Sequence, residues 1–558
     1  MRILYIYLAA LGIVAAHVPV GAQQAPEKTD VEPASRLAHV ALTAAEIDSL
    51  WPLAYRTYND IKRMHAVPLE NSVPLSLWQM PANPWALKQM GAAAKGYATA
   101  RIPLSVKTSL PANRDDLAFY SIPQLASLIR NKKISSVELT RFFIERIKKY
   151  SDTLECLITL TDSLAMEQAR NADQMLSRGI YKGMLHGIPY GLKDLFAVKG
   201  TRTTWGAAPY KNQVIDEDAY VYQRLRDAGA VLVGKFTLGA LAMGDYWYGG
   251  RTRSPWNLER GSSGSSAGSA AATVAGLVPF AIGTETWGSI ISPSNACGAT
   301  GLRPTFGSIS RTGAMALSWS LDKIGPICRS AIDAAIVFTY INGTDDNDGI
   351  PAPIPFRFDA SADPRKLKIG YAKNYFDKID TSRSEWAVLR ALEKSGIKAE
   401  PMVFPDDSTV WPFDIMNLVI SAECAAAFDG FTRSNLDDEM TKQNQNDWPN
   451  VFRAARFIPA VDYINANRHR TLLSKAVTKA MQAYDVVIVP TFSGNQLAIT
   501  NLTGHPALCV PTGFDKKSGM PYSITFLGNH WGEGAILKLA QAYQEATGWH
   551  LERPPHFR

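Results

Sequence analysis

Cysteine is scarce in this chain: five thiols, Cys156, Cys297, Cys328, Cys424 and Cys509, are spread over 558 residues with no C-x-x-C pair. An odd, scattered set does not make a disulfide framework, even in an oxidising compartment. Each thiol has apolar neighbours, so burial is expected. The nine histidines are equally dispersed. No H-E-x-x-H or similar spacing occurs, so neither a metal nor another cofactor is expected. No G-x-x-x-x-G-K-[ST] loop is present to hold a phosphate. No G-x-S-x-G elbow stands between strand and helix with suitable partners, which weakens a Ser-His-Asp reading. The net charge is +7, but no basic run is long enough to read as a nucleic-acid arm. Beyond the first two dozen residues no segment reaches membrane-spanning length without charges.

What is present is ordinary globular material, 46% hydrophobic and 20% charged, with ample length for a large core. "MRILYIYLAALGIVAAHVPVGAQQ" carries Arg2, then an apolar stretch from Ile3 to Ala16, then Val20-Gly21-Ala22. That order of basic residue, short apolar run and small residues reads as a secretion signal cut after Ala22. The expected location is therefore secreted or periplasmic, with an uncleaved anchor as the alternative. Residues 23–116 read as a partly helical extension and connector, and 117–558 as the main domain. In the extension, "TAAEIDSLWPLAYRTYNDIKRMHAV" has helical spacing, and "ENSVPLSLWQMPANPW" is punctuated by proline. In the main domain, Ser121 and Ser136 stand where helix N-caps are expected, Ser136 with Glu138 two residues on. "AVLVGK", "LKIGYA", "DVVIVPT" and "PYSITFLG" read as strands and "GEGAILKLAQAYQEATG" as a closing helix. Short apolar strands alternating with amphipathic helices predict an α/β sheet covered on both faces.

One stretch stands out. "GSSGSSAGSAAATVAGLVPF", Gly261 to Phe280, is a serine and glycine loop that feeds a small-residue, core-bound segment. Too apolar downstream for a linker, it is either a structural turn or a place where backbone approaches something closely. "GTETWGSIISP" follows, Gly283 to Pro293. With "SGSSAGSAAA" before it, "GIPYGLKDLFAVKGTRTTWG" upstream and "SLDKIGPICRS" and "NLTGHPALCVPTGF" downstream, it resembles the signature of the amidase signature family of serine hydrolases. The resemblance covers residues 117–558 and implies an α/β fold of three layers, α/β/α, with a central mixed β-sheet covered by helices on both faces.

The resemblance implies a triad: Ser289 as nucleophile, Ser265 as a bridging serine preceded by a cis peptide, and Lys193 as base. The two serines are 24 residues apart, as the family has them. The chemistry is coherent, since a serine hydroxyl needs a base within hydrogen-bond reach. A lysine serves only when neutral, which desolvation favours, and Lys193 sits in an apolar run. Ser265 can relay a proton because a hydroxyl both donates and accepts. The resemblance also implies an oxyanion hole from backbone N–H groups of Thr286, Trp287, Gly288 and Ser289.

Three positions depart from the family pattern: Glu285 replaces an aspartate, Trp287 a glycine and Ile291 an arginine. A positive φ at Trp287 would be costly. Either the turn has an ordinary conformation there, or the hole is altered. "MGDYWYGG" sits where the family often lines its acyl pocket, so Met243, Tyr246, Trp247 and Trp287 are candidate substrate contacts favouring flat or apolar groups. The expected function is a secreted, cofactor-free amidase acting on a small-molecule amide. Alternatives are ester or carbamate hydrolysis on the same triad, a binding protein on an amidase scaffold, or the amidase component of a tRNA-dependent amidotransferase.

Overall fold

The computed structural model describes residues 25–38, 40–67, 99–103, 107–345, 347–348 and 356–558. The expected export signal and the proline-punctuated stretch lie outside them. The centre is a mixed sheet of 11 strands. In chain order these are β1 (Leu157–Leu160), β2 (Pro189–Lys193), β3 (Val231–Phe236), β4 (Phe280–Glu285), β5 (Thr300–Arg303) and β6 (Lys323–Cys328). They continue as β7 (Ile369–Ala372), β8 (Ala399–Met402), β9 (Val486–Pro490), β10 (Ala507–Phe514) and β11 (Pro521–Gly528). Across the sheet the order is β8-β7-β9-β11-β10-β5-β6-β4-β2-β3-β1. Parallel pairing joins β4, β2 and β3 at one side and β8, β7 and β9 at the other, with antiparallel strands between.

Strands β2, β3, β6 and β9 are buried along their whole length, because both faces are covered. Alternate side chains enter separate cores: Phe280 and Ile282 pack on one side of β4, while Ala281 packs on the other. Val486 and Ile488 of β9 likewise part from Val487 and Val489. This is the period-two signature of a strand sandwiched between layers.

The covering helices used below are α1 (Ala44–His65), α2 (Ile122–Arg130), α3 (Ser136–Leu154), α4 (Ala267–Val274), α5 (Ile291–Cys297), α6 (Trp448–Ala455), α7 (Gln496–Leu502) and α8 (Glu533–Thr547). Ser121 caps α2, forming a reciprocal pair with Gln124. The expected cap at Ser136 is corrected to Ser135. Its hydroxyl accepts the Glu138 N–H at 3.1 Å, and Glu138 takes the Ser135 N–H at 2.8 Å. A capping box needs its partners three residues apart, and Ser136 is one too close. The Ser136 hydroxyl instead turns inward and donates to the Gly187 carbonyl at 3.0 Å. Thr43 and Glu46 make the same box at the start of α1. That helix docks on α6: Glu46 pairs with Arg453 at 2.8 Å, and Ser49 accepts from Asn450 at 2.8 Å. All five cysteines are buried and unpaired.

Candidate active site

Three chain segments meet at the carboxyl ends of the parallel strands β2 and β4, the edge where open α/β sheets place their ligands. Strand β2 delivers Lys193 at its last position. The serine loop before α4 delivers Ser265 and Ser266. The turn from β4 into α5 delivers Ser289.

Lys193 is fully buried. Its Nζ lies 2.7 Å from Ser265 Oγ, 3.2 Å from Ser266 Oγ and 2.8 Å from Thr284 Oγ1. The peptide between Gly264 and Ser265 is cis. Burial lowers the Lys193 ammonium from 10.5 to about 7, opposed by the negative charges of Asp322 and Glu285. A lysine in this setting is neutral in a large fraction of molecules at neutral pH. Ser266 ties the loop to β4: its Oγ accepts the Thr284 N–H and donates to the Thr284 carbonyl, both at 3.1 Å. Its own N–H donates to the Ser289 carbonyl at 3.1 Å. The bridging loop and the nucleophile turn are thus strapped together through backbone.

The turn itself is held by Glu285, which is buried without exposure. One carboxylate oxygen accepts the N–H groups of Ile290 and Ile291, each at 2.9 Å. The other accepts from Arg303 and from Asn501 of α7, also at 2.9 Å each. Despite burial, which pushes it up, the Arg303 guanidinium, the Ile291 N–H and the nearby Lys323 hold the Glu285 carboxyl below its ordinary range. The side chain at 291 is buried and apolar, and the guanidinium beside Glu285 comes from Arg303 instead. The positive φ of the turn, +92°, falls on Gly288 and not on Trp287. The ordinary-conformation alternative therefore holds, and the tryptophan costs no backbone strain. Among the described residues none accepts a hydrogen bond from the N–H groups of Trp287, Gly288 or Ser289. Thr286 uses its hydroxyl on Asp322 at 2.5 Å, and Asp322 also accepts the N–H groups of Leu317 and Ser318. Ser289 is half-buried and Trp287 is 41% exposed, so the turn faces an opening.

The structure therefore brings Lys193, Ser265 and the Ser289 turn together. The four expected substrate contacts divide. Met243, Tyr246 and Trp247 line a groove of about 400 Å³ with Met440, Lys442 and Trp448, and Trp287 is not among its lining residues. Sequence reading missed Ser266, Thr284, Asp322 and Arg303. Asp322 lies inside "SLDKIGPICRS", so that motif carried its signal. Arg303 had none, since its partners are 18 and 202 residues away.

Comparison with known proteins places the chain in a family. The family described as Amidase matches residues 138–499. A glutamyl-tRNA(Gln) amidotransferase component from Marinomonas sp. (strain MWYL1) is 34% identical over 480 residues, covering 78% of this chain and 98% of the relative. Native peptide amidase from Stenotrophomonas maltophilia superposes with a TM-score of 0.69 at 29% identity, over 79% of this chain and 99% of its own. An amidase family protein from Bacillus anthracis str. Ames shares the fold with a TM-score of 0.70 at 23% identity, over 88% of this chain and all of its own. The chain belongs to the amidase signature family, whose enzymes act on carbon–nitrogen amide bonds.

Proposed function

We propose that the protein is an exported amidase that hydrolyses carboxylic amides through an acyl-enzyme on Ser289. The observation that carries the reading is a fully buried lysine 2.7 Å from Ser265, beside a half-buried serine on a turn with uncommitted N–H groups. Neutral Lys193 takes the Ser265 proton while Ser265 takes that of Ser289, whose oxygen attacks the carbonyl carbon. The negative charge that develops on the carbonyl oxygen is met by N–H groups of the Thr286–Ser289 turn. The C–N bond then breaks, the leaving amine receives the proton back, and water releases the acid from Ser289. Exposed Trp287 favours an apolar or aromatic substrate beside the turn. The test is labelling with a fluorophosphonate probe and mass spectrometry of a trapped acyl-enzyme. The adduct is expected on Ser289 and on neither Ser265 nor Ser266, and is lost in Ser289→Ala. Paired amide and ester substrates measure the preference between the two bonds. The export half rests on Val20-Gly21-Ala22 and predicts a mature N-terminus at Gln23. A soluble cytosolic form starting at Met1 would remove it.

The amidotransferase relatives favour a second reading, the amidase component of a tRNA-dependent amidotransferase. An export signal opposes it, because that tRNA is cytosolic. Glutamine hydrolysis that requires a co-purifying partner protein would establish this second reading.

A further inference from the structure

We infer that the groove between the Met243–Arg251 segment and residues 440–448 is a substrate subsite for an apolar or aromatic arm ending in a carboxylate. The inference rests on the amidase reading and names a substrate class for it.

The groove adjoins the serine loop through backbone. A Cβ on Gly264 would fall 1.8 Å from the Gly244 carbonyl oxygen, so the chain just after Met243 lies against the peptide that precedes Ser265. On the other side, the Ser263 N–H donates to Asp245 at 3.2 Å. The turn that presents Met243 is held in an unusual shape. Leu241 and Ala242 have φ of 47° and 62°, left-handed values that cost a side-chain-bearing residue energy. It is fixed from both ends. The Leu241 N–H donates to the Trp205 carbonyl, and the indole N–H of Trp448, on the opposite wall, donates to the Leu241 carbonyl, both at 2.9 Å. A strained turn tied to the opposite wall of a groove is the kind of backbone that binding sites retain.

The lining is aromatic and thioether, from Met243, Tyr246, Trp247, Met440 and Trp448. Charge selects among apolar ligands. Over the Tyr246 ring stand Lys442 Nζ, 3.5 Å from the centroid, and the Arg251 guanidinium carbon at 5.0 Å. Arg251 is paired with Asp245 at 3.3 Å. Asp447, the carboxylate that lines the groove, stands just before α6 as its N-cap residue and accepts the Asn444 N–H at 2.7 Å. Lys442 has no carboxylate partner among the described residues. An ammonium held on an aromatic face at the edge of an apolar groove attracts an anion and disfavours an amine.

The test compares two substrate pairs on the purified enzyme. On the acyl side it uses 3-(4-carboxyphenyl)propanoyl against 3-phenylpropanoyl p-nitroanilide. On the amine side it uses 3-phenylpropanoyl amides of 4-aminobenzoate and of aniline. In at least one pair the carboxylate member is expected to have about tenfold higher kcat/KM, carried by KM, the size of a charged hydrogen bond. Lys442→Gln should lower that ratio about tenfold, and Lys442→Arg should keep it. Ratios in both pairs that do not respond to Lys442→Gln overturn the inference. A binding measurement separates it from the amidase reading. In Ser289→Ala, free 3-(4-carboxyphenyl)propanoate should quench tryptophan fluorescence from Trp247 and Trp448, and Lys442→Gln should weaken that binding about tenfold. Lysine-dependent binding without amide turnover would retain the subsite and sink the reaction. Turnover without lysine-dependent binding would do the reverse.

Discussion

At the scale of single residues, the site depends on one proton equilibrium. Lys193 is charged below about 7 and neutral above, because burial disfavours its ammonium form. Only the neutral amine can take a proton, so kcat/KM should rise with pH through an apparent pKa near 7 and then level off. A stopped rate assay across pH 5 to 9 checks this, and a profile flat over that range would exclude Lys193 as the base. Lys193→Ala should lower kcat at neutral pH by about 10² to 10⁴-fold, the usual worth of a positioned base. Its residual rate should climb with pH as hydroxide takes over. Ser289→Ala should leave no acyl-enzyme, and Ser265→Ala should have an intermediate effect, milder than loss of the base, since a water can partly replace a lost relay. Trp287 has an ordinary φ and a 41% exposed ring, so Trp287→Gly is expected to change selectivity among acyl groups and spare the labelling of Ser289. Equal loss on every substrate together with unfolding would mark it as a packing residue.

At the scale of elements, the nucleophile turn is organised by a carboxylate. Glu285 joins the end of β4 to the start of α5, to Arg303 of β5 and to Asn501 of α7. Glu285→Gln would leave the fully buried Arg303 guanidinium without its ion pair, a loss of about 3–5 kcal/mol for such sites. Thermal unfolding should register it as a clear fall in Tm. The same charge raises the Lys193 pKa, so its removal should move the rise of kcat/KM to lower pH. A fall in Tm with an unmoved pH profile would separate the structural role from the electrostatic one. This cluster also marks the limit of sequence reading. The strands and the serine loop were legible because apolar runs, glycine turns and short motifs are local. "DVVIVPT" and "PYSITFLG" became β9 and β11 within a residue of each end. The cap at Ser135 was legible as well, since only that serine stands three residues before Glu138, and the reading fell one position off. Arg303, Asn501 and Lys442 were illegible. Each acts on a partner brought near by the sheet or by packing across it, and no local pattern encodes that meeting.

At the scale of the molecule, the sheet places the catalytic strands β2 and β4 inside a two-sided core, and the substrate groove is built partly from packing that reaches the extension. Helix α1 buries Leu50, Leu53 and Met64 and ties Glu46 to Arg453 of α6. Arg453 also holds Asp437 and Asp438, at 2.7 and 2.8 Å, just ahead of the Met440–Lys442 wall. The same α6 carries Trp448, which pins the Leu241 turn. A path of direct contacts thus runs from α1 through α6 to the groove, while Lys193, Ser265 and Ser289 are held by β2, β4 and the serine loop without it. Removing residues 1–67 should therefore act unevenly. Loss of the three buried side chains removes about 1.5–3 kcal/mol of burial each and should lower Tm measurably. Fluorophosphonate labelling of Ser289 below the new Tm should persist, because the hydrogen bonds that position Lys193, Ser265 and the Ser289 turn come from β2, β4 and the serine loop. The discrimination between carboxylate-ended and neutral substrates should weaken, because the Met440–Lys442 wall and Trp448 lose their support. Loss of Ser289 labelling in a still-folded truncated protein would show that the triad, and not the groove alone, depends on the extension.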